Sequence, residues 1–236
     1  MSLADRVVVI IGGGSGIGFE VARRAADAGA QVFLGGRTAA TLEAAAEKIG
    51  AQWHVVDNTD QDSLAEFFGA VPRVDHLFTP GASYTTGPMR ELSDEDAASP
   101  FVTKFWGQYH AVKHAAPKLS RDGSVVLMSG AASVRPPGPA PAYVACNAAI
   151  EGLGRGLAVE LAPVRVNVVA PGTIDGNLWS QRPADVREAS FAQYRADTVL
   201  HRVGNEPEVA EAVLYLFGAT FTTGSTLYPD GGYSFR

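Results

Sequence analysis

The sequence predicts a doubly wound α/β fold: a parallel sheet of about seven strands with helices on both faces. Three observations point there. Short runs of β-branched and apolar residues alternate with helix-sized segments along the whole chain. The runs are continuously apolar, as strands buried on both faces are, instead of alternating with polar residues. The first run also leads straight into a glycine-rich turn, GGGSGIG at 12–18, that opens a helix. Strands and helices alternating in this way build right-handed βαβ units. At 236 residues, 46% hydrophobic and 19% charged, the chain is expected to be one domain over 1–236, large enough to bury a sizeable core.

The elements follow in order. VVVII (7–11) is the first strand. Ile17, Val21 and Ala25 recur at i, i+4 and i+8, and Gly29 is placed to end that helix in a left-handed conformation. QVFLG (31–35) is the second strand. Leu42, Ala46 and Ile49 share one side of the next helix, which Gly50 stops. AQWHVV (51–56) reads as a third buried strand, after which Thr59 or Asp60 caps DQDSLAEFF. DHLFT (75–79), SVVLMS (124–129) and VRVNVVA (164–170) are the remaining runs read directly as strands. No internal repeat or linker divides the chain.

Composition narrows the function classes. There are 19 basic against 25 acidic residues, a net charge of −6, which argues against a nucleic-acid partner. Cys146 is the single cysteine, so neither an internal disulfide nor a cysteine-rich metal site can form. The five histidines show no metal-binding spacing; His110 and His114 share a helix face but lack a third partner. The N-terminal MSLADRVVVI is neither a signal nor a transit peptide, and no run approaches the ~18 apolar residues of a membrane span. A cytoplasmic protein with no membrane partner and no bound metal is expected.

In such sheets ligands bind outside the carboxyl ends of the strands. The turn at 12–18 has the spacing G-x-x-x-G-x-G, with glycines at 12, 16 and 18. Without Cβ atoms in the way, Gly12, Gly14, Ser15, Gly16, Ile17 and Gly18 allow backbone N–H groups to approach a pyrophosphate at the helix N-terminus, where the dipole favours negative charge. A turn without a ligand is the alternative, opposed by its place in the first βα unit. The second strand ends in Gly35-Gly36-Arg37, where the adenine ribose of a nicotinamide dinucleotide would lie. No carboxylate occurs between Gly29 and Glu43 to accept from the 2′-hydroxyl of NAD, whereas Arg37 can pair with the 2′-phosphate of NADP. NADP is therefore the expected cofactor, with a solvated loop charge as the other reading of Arg37. Asp57 and Asn58 are placed for the adenine edge or for a helix cap.

Together these features resemble the short-chain dehydrogenase/reductase family over essentially the whole chain. Besides the glycine turn and Asp57, YVACN (143–147) stands at the family's Y-x-x-x-K segment. RVNVVAPG (165–172) is similar to the segment leading to the nicotinamide, and TTGSTLYPDGG (222–232) to the last strand. The resemblance implies a Rossmann-type fold, a homo-oligomer (tetramer or dimer), and hydride transfer with a tyrosine as general acid/base. A lysine four residues on would lower the tyrosine pKa and hold the ribose. A serine after the fifth strand would orient the substrate, and an asparagine in the fourth helix would hold a relay water. It further implies cofactor contacts at Gly81, Tyr143, Asn147, Pro171, Gly172, Thr173 and Ile174.

Tyr143 matches; its three partners do not. The lysine position holds Asn147, the asparagine position Lys104, and the serine position Gly130, with Ser129 one residue earlier. We read Lys104 and Asn147 as exchanged, Lys104 supplying the charge from the opposite helix and Asn147 a ribose or water contact; a surface lysine is the alternative. Ser129 either presents its hydroxyl where the family serine sits or is a plain strand-end serine. Tyr84, Val134, Trp179 and Phe191 are expected to form an aromatic substrate pocket, or else to pack in a lid or an interface. The leading expectation is an NADP(H)-dependent oxidoreductase interconverting a carbonyl and an alcohol, with Tyr143 as general acid/base. A cofactor-binding sensor or structural protein with little turnover, or a non-redox enzyme on the same fold, are the alternatives.

Overall fold

A computed structural model describes residues 2–235. β1 (Val7–Ile11), β2 (Gln31–Gly36), β3 (Gln52–Val55), β4 (Val74–Thr79), β5 (Leu119–Met128), β6 (Arg165–Val169) and β9 (Thr226–Leu227) form a seven-stranded sheet in the order β3-β2-β1-β4-β5-β6-β9. Every neighbouring pair is parallel. Two short strands, β7 (Ile174–Asp175) and β8 (Gly204–Asn205), pair apart from it. The strand order runs outward in both directions from β1 and β4, so the crevice for a ligand opens at their carboxyl ends.

Helices cover both faces, which makes this a Rossmann-type doubly wound fold. The side chains of β1 show why its sequence is apolar without a break. Val7, Val9 and Ile11 enter a core beneath α3 (Gln61–Ala70), α5 (Gly107–Ala115) and α6 (Pro141–Glu160). Val8 and Ile10 enter the opposite core, closed by α1 (Gly16–Asp27), α2 (Ala39–Ile49) and α9 (Glu206–Gly218). The period of two along a strand thus fills two cores at once.

The expected stops hold: Gly29 and Gly50 both have positive φ, at 92° and 66°. Of the two candidate caps, Asp60 is the one used; its Oδ1 accepts from the backbone N–H groups of Asp62 and Ser63. Two strand expectations need correction. β3 is not buried on both faces, because it forms the sheet edge and leaves Gln52, His54 and Val55 exposed. β5 begins at Leu119, not at 124; its polar first half is recruited by pairing with β4, where Leu119 stands opposite Val74.

Candidate active site

The glycine turn packs backbone against backbone. A Cβ on Gly12 (φ +100°) would lie 2.6 Å from Gly81 Cα, and one on Gly18 would lie 2.0 Å from the Gly12 carbonyl oxygen. Gly81 N–H in turn donates to the Ile11 carbonyl at 3.0 Å, joining the turn to the loop after β4. Ser15 precedes α1 without capping it through its side chain, and the first turn carries no acidic residue. The helix therefore opens with N–H groups that no side chain claims, and this cradle has the shape and polarity for a phosphate group. Glu206 lies beside it, accepting from Asn177 N–H at 2.8 Å, while Asn177 Nδ2 donates to Ser15 Oγ at 3.3 Å. Sequence reading missed both Asn177 and Glu206, which no motif marks.

At the adenosine end, Arg37 is exposed after β2. Thr59 donates to Asp57 Oδ1 from its backbone N–H at 2.9 Å and its hydroxyl at 2.8 Å. Those two bonds, with the charge of Arg37, hold the Asp57 carboxyl below its ordinary range against the opposing effect of burial. Asn58 takes a different part from the one expected of it. Its Nδ2 donates to the carbonyls of Gly81 and Thr103, both at 3.0 Å, so the amide faces inward and braces the loop. Gly107 leaves room for it: a Cβ there would stand 2.2 Å from Asn58 Nδ2.

The central residues converge from three segments. α4 (Asp94–Pro100) passes into a wider π-turn over Phe101–Trp106, and Lys104 projects inward from it. Lys104 is 3% exposed, so it is no surface lysine. Its Nζ donates to Asn147 Oδ1 at 2.5 Å and to the Ser129 carbonyl at 3.0 Å, and lies 5.3 Å from the centroid of the Tyr143 ring. Asn147, one helical turn beyond Tyr143 on α6, donates to the Tyr143 carbonyl at 2.9 Å. The two residues at exchanged positions therefore meet beside the tyrosine. Burial pushes the Tyr143 phenol up, but the Lys104 charge and hydrogen bonds from Tyr84 and Asn147 outweigh it, leaving the phenol below its ordinary range.

Ser129 does not face this centre, which corrects its assignment as a catalytic hydroxyl. It is 3% exposed, and its Oγ donates to the Asn147 carbonyl at 2.9 Å and lies 3.3 Å from Glu151 Oε1. Successive residues of an extended segment point to opposite sides, so the position that does face Tyr143 is Gly130. A Cβ there would lie 3.4 Å from the Tyr143 hydroxyl and 3.3 Å from Asn147 Oδ1. The hydroxyl that reaches Tyr143 belongs instead to Tyr84, 3.4 Å away, with the two rings stacked at 5.1 Å. The reading of Tyr84 as a pocket residue missed this pairing, since no local signal fixes where a loop tyrosine points.

Around the centre, Ala131 N–H donates to the Pro171 carbonyl at 2.8 Å and Gly172 N–H to that of Pro229 at 3.2 Å. A Cβ on Gly172 would lie 2.9 Å from Asp230 Cα. The Thr173 carbonyl accepts from Gly204 N–H, and Ile174 packs on the α1/α9 core. Val134 is exposed, whereas Phe191 is buried with its ring edge-on to Trp179 at 5.2 Å, so neither side chain lines an open pocket. Among the described residues no group of three His, Cys, Asp or Glu side chains is placed to hold a metal. None of the described helices is long and apolar enough to cross a membrane.

A sequence model of the family described as enoyl-(acyl carrier protein) reductase matches residues 12–234. A short-chain type dehydrogenase/reductase of Sinorhizobium fredii is 35% identical over 96% of this chain, which spans only 43% of that protein's length. The cis-4-hydroxycyclohexanecarboxylate dehydrogenase of Sinomonas cyclohexanicum is 32% identical, with 99% of this chain and 98% of that one covered. A small-chain dehydrogenase solved in complex with NADPH superposes with a TM-score of 0.86 at 30% identity, over 98% of this chain and 99% of the other. With its strand order, its glycine turn and these matches from end to end, the chain belongs to the short-chain dehydrogenase/reductase family, as an oxidoreductase-fold member whose Asn-Ser-Tyr-Lys tetrad is altered at every position but the tyrosine.

Proposed function

We propose that this protein is an NADP(H)-dependent oxidoreductase that interconverts a carbonyl and an alcohol, with Tyr143 carrying the proton. The observation that carries the reading is Lys104 Nζ, buried within 2.5 Å of Asn147 Oδ1 and lying over the Tyr143 ring. The charge that a tyrosine needs to act near neutral pH has changed helices and has not been lost. The bound dinucleotide would supply the hydride. Around it, Gly12, Gly14, Ser15, Gly16, Ile17 and Gly18 cradle the phosphates, and Arg37 pairs with the 2′-phosphate. Asp57, whose Oδ2 takes no hydrogen bond among the described residues, receives the adenine edge. Asn147 and the segment Pro171–Gly172–Thr173–Ile174 border the nicotinamide end. The NADPH bound by a similar structure supports the cofactor, and the hydroxycyclohexane acid oxidised by a relative makes ring alcohols the first substrates to test. Exposed Val159 on α6 and Phe221 before β9 fit contacts of a homo-oligomer.

The test is consumption of NADPH or NADH against a panel containing cyclohexanone, 4-oxocyclohexanecarboxylate, acetoacetate and benzaldehyde. NADPH-dependent turnover is expected, falling about 10²-fold or more in Tyr143→Phe. In Lys104→Met the tyrosine loses its cation, so the pH at which alcohol oxidation rises moves upward by about one to three units. An unmoved profile would remove Lys104 from the chemistry, and a preference for NADH would remove Arg37. A second reading, a cofactor-binding protein with little turnover, is favoured by Gly130 standing where the resemblance calls for a serine. NADPH binding with no turnover on any carbonyl would select it.

A further inference from the structure

We propose that Tyr84 is the second hydroxyl of the site, taking over from the serine that Gly130 replaces, and that the substrate oxygen binds between the phenols of Tyr84 and Tyr143. This rests on the oxidoreductase reading above and adds a residue that neither the tetrad pattern nor the glycine turn contains.

The geometry is that of two donors converging on one acceptor. The phenol oxygens are 3.4 Å apart, longer than the 2.5–3.0 Å usual for O–H···O, so neither hydroxyl is fully satisfied by the other. An oxygen about 2.7 Å from each would accept from both. The rings are stacked with centroids 5.1 Å apart and planes 29° from parallel, which brings both hydroxyls to the same side. Lys104 Nζ lies 5.7 Å from the Tyr84 centroid and 5.3 Å from that of Tyr143, close to both rings.

Tyr84 is held in place from both flanks. Thr103 Oγ1 donates to the Ser83 carbonyl at 2.5 Å, and Thr85 N–H donates to Ser99 Oγ at 3.0 Å. Both partners lie on α4 and the π-turn, the same stretch that carries Lys104. Three residues earlier, the Gly81 carbonyl takes the bond from Asn58. Burial, with Tyr143 alongside, pushes the Tyr84 phenol well above its ordinary range. It therefore stays protonated, as a donor, while Tyr143 titrates.

In the reduction direction the carbonyl carbon gains the hydride and Tyr143 gives its proton to the carbonyl oxygen. The tyrosine O–H bond breaks as the alcohol O–H forms, and the phenolate is left beside Lys104 until water reprotonates it. Tyr84 donates a hydrogen bond to the oxygen throughout and neither gains nor loses a proton. Donors aimed at an oxygen that gathers charge in the transition state contribute to kcat more than to binding.

The experiment compares wild type, Tyr84→Phe and the double variant Tyr84→Phe/Gly130→Ser on whichever carbonyl of the panel wild type reduces fastest. Tyr84→Phe keeps the stacked ring and removes only the hydroxyl. Its kcat is expected to fall about 10²-fold or more, with KM for NADPH unchanged. Gly130 has an extended backbone, φ −173°, that accepts any side chain, and its Cβ would point at the Tyr143 hydroxyl. The added serine is therefore expected to restore about tenfold or more of the loss, which side-chain packing at position 84 would not do. A Tyr84→Phe enzyme that keeps its kcat, or a loss that the serine does not recover, overturns the proposal. Titration of the phenolate absorbance separates this failure from that of the oxidoreductase reading. If wild type reduces no carbonyl in the panel, that reading fails, yet an upward shift of the lowest phenol titration in Tyr84→Phe still supports the paired hydroxyls, and no shift overturns them.

Discussion

Lys104 lies almost out of water, and among the described residues it has no carboxylate partner. Its ammonium is bonded to two neutral oxygens, Asn147 Oδ1 and the Ser129 carbonyl, and lies near the rings of Tyr84 and Tyr143. Dipoles and ring quadrupoles stabilise such a cation without cancelling its field, which remains free to favour phenolate at Tyr143. His76 is buried as well. It is stacked on Phe217 at 4.8 Å, its Nδ1 lies 2.8 Å from Ser124 Oγ, and burial, assisted by the charge of Arg165, lowers its pKa from 6.5 to about 4. Between those values the unfolded chain binds a proton that the fold rejects, so stability is complete above pH 6.5 and declines as pH falls towards 4. The expected decline is about 3 kcal/mol over that window. Urea unfolding across this range should show a shallower pH dependence in His76→Leu; an equal slope would mean that His76 is not its source.

At the scale of elements, the π-turn and the glycine turn decide the site. Pro100 has no N–H to give to the helix ladder, and the turn that follows it is wider than an α-helix. Cys146 fills the gap from α6: its Sγ–H donates to the Pro100 carbonyl at 3.2 Å and its sulfur accepts from Phe105 N–H, while burial pushes the thiol up. Wide turns of this kind are frequent at functional sites because they re-aim a side chain, and here the side chain is Lys104. The single cysteine, read from sequence only as evidence against disulfides and cysteine-rich metal sites, is thus part of the support for that lysine. In the glycine turn the contact at Gly18 is with backbone, which has no rotamer to change. Gly18→Ala, placing a Cβ 2.0 Å from the Gly12 oxygen, is expected to destabilise the fold by about 1–3 kcal/mol and to weaken NADPH binding. Urea unfolding and cofactor titration measure both, and wild-type values would show that the turn relaxes more freely than its packing suggests.

Across the whole molecule, the site lies at the carboxyl ends of the strands and a polar clasp holds the opposite ends. Asp75 accepts from Val7 N–H and Ser120 Oγ, both at 2.7 Å, from Arg73 Nε at 2.9 Å and from Arg6 at 3.3 Å, joining β1, β4 and β5. Burial raises its pKa, but these bonds outweigh it and hold the carboxyl below its usual range. Its stabilising contribution is therefore full above the unfolded value of about 3.9 and is lost as pH falls through the folded one. Asp75→Ala leaves the Val7 N–H without its partner and should cost about 1–3 kcal/mol in urea unfolding at neutral pH, with NADPH affinity retained. A loss of affinity would mean that strain at this end of the sheet reaches the site.

The continuous apolar run at 7–11, the stops at Gly29 and Gly50, and the turn at 12–18 were legible because burial on two faces and positive φ leave local marks on residue type. The start of β5 was not, since LSRDG is recruited by backbone pairing that leaves no side-chain pattern. Sequence by itself determined a parallel sheet with a glycine turn at its switch point, a retained tyrosine, and a lysine and asparagine at exchanged positions. Only the tertiary structure decided that Lys104 and Asn147 touch, that Ser129 turns towards α6, and that Tyr84 supplies the hydroxyl facing Tyr143. Where a side chain points at a strand end or in a loop is settled by segments remote in sequence, here the π-turn and α6, and no local pattern encodes their approach.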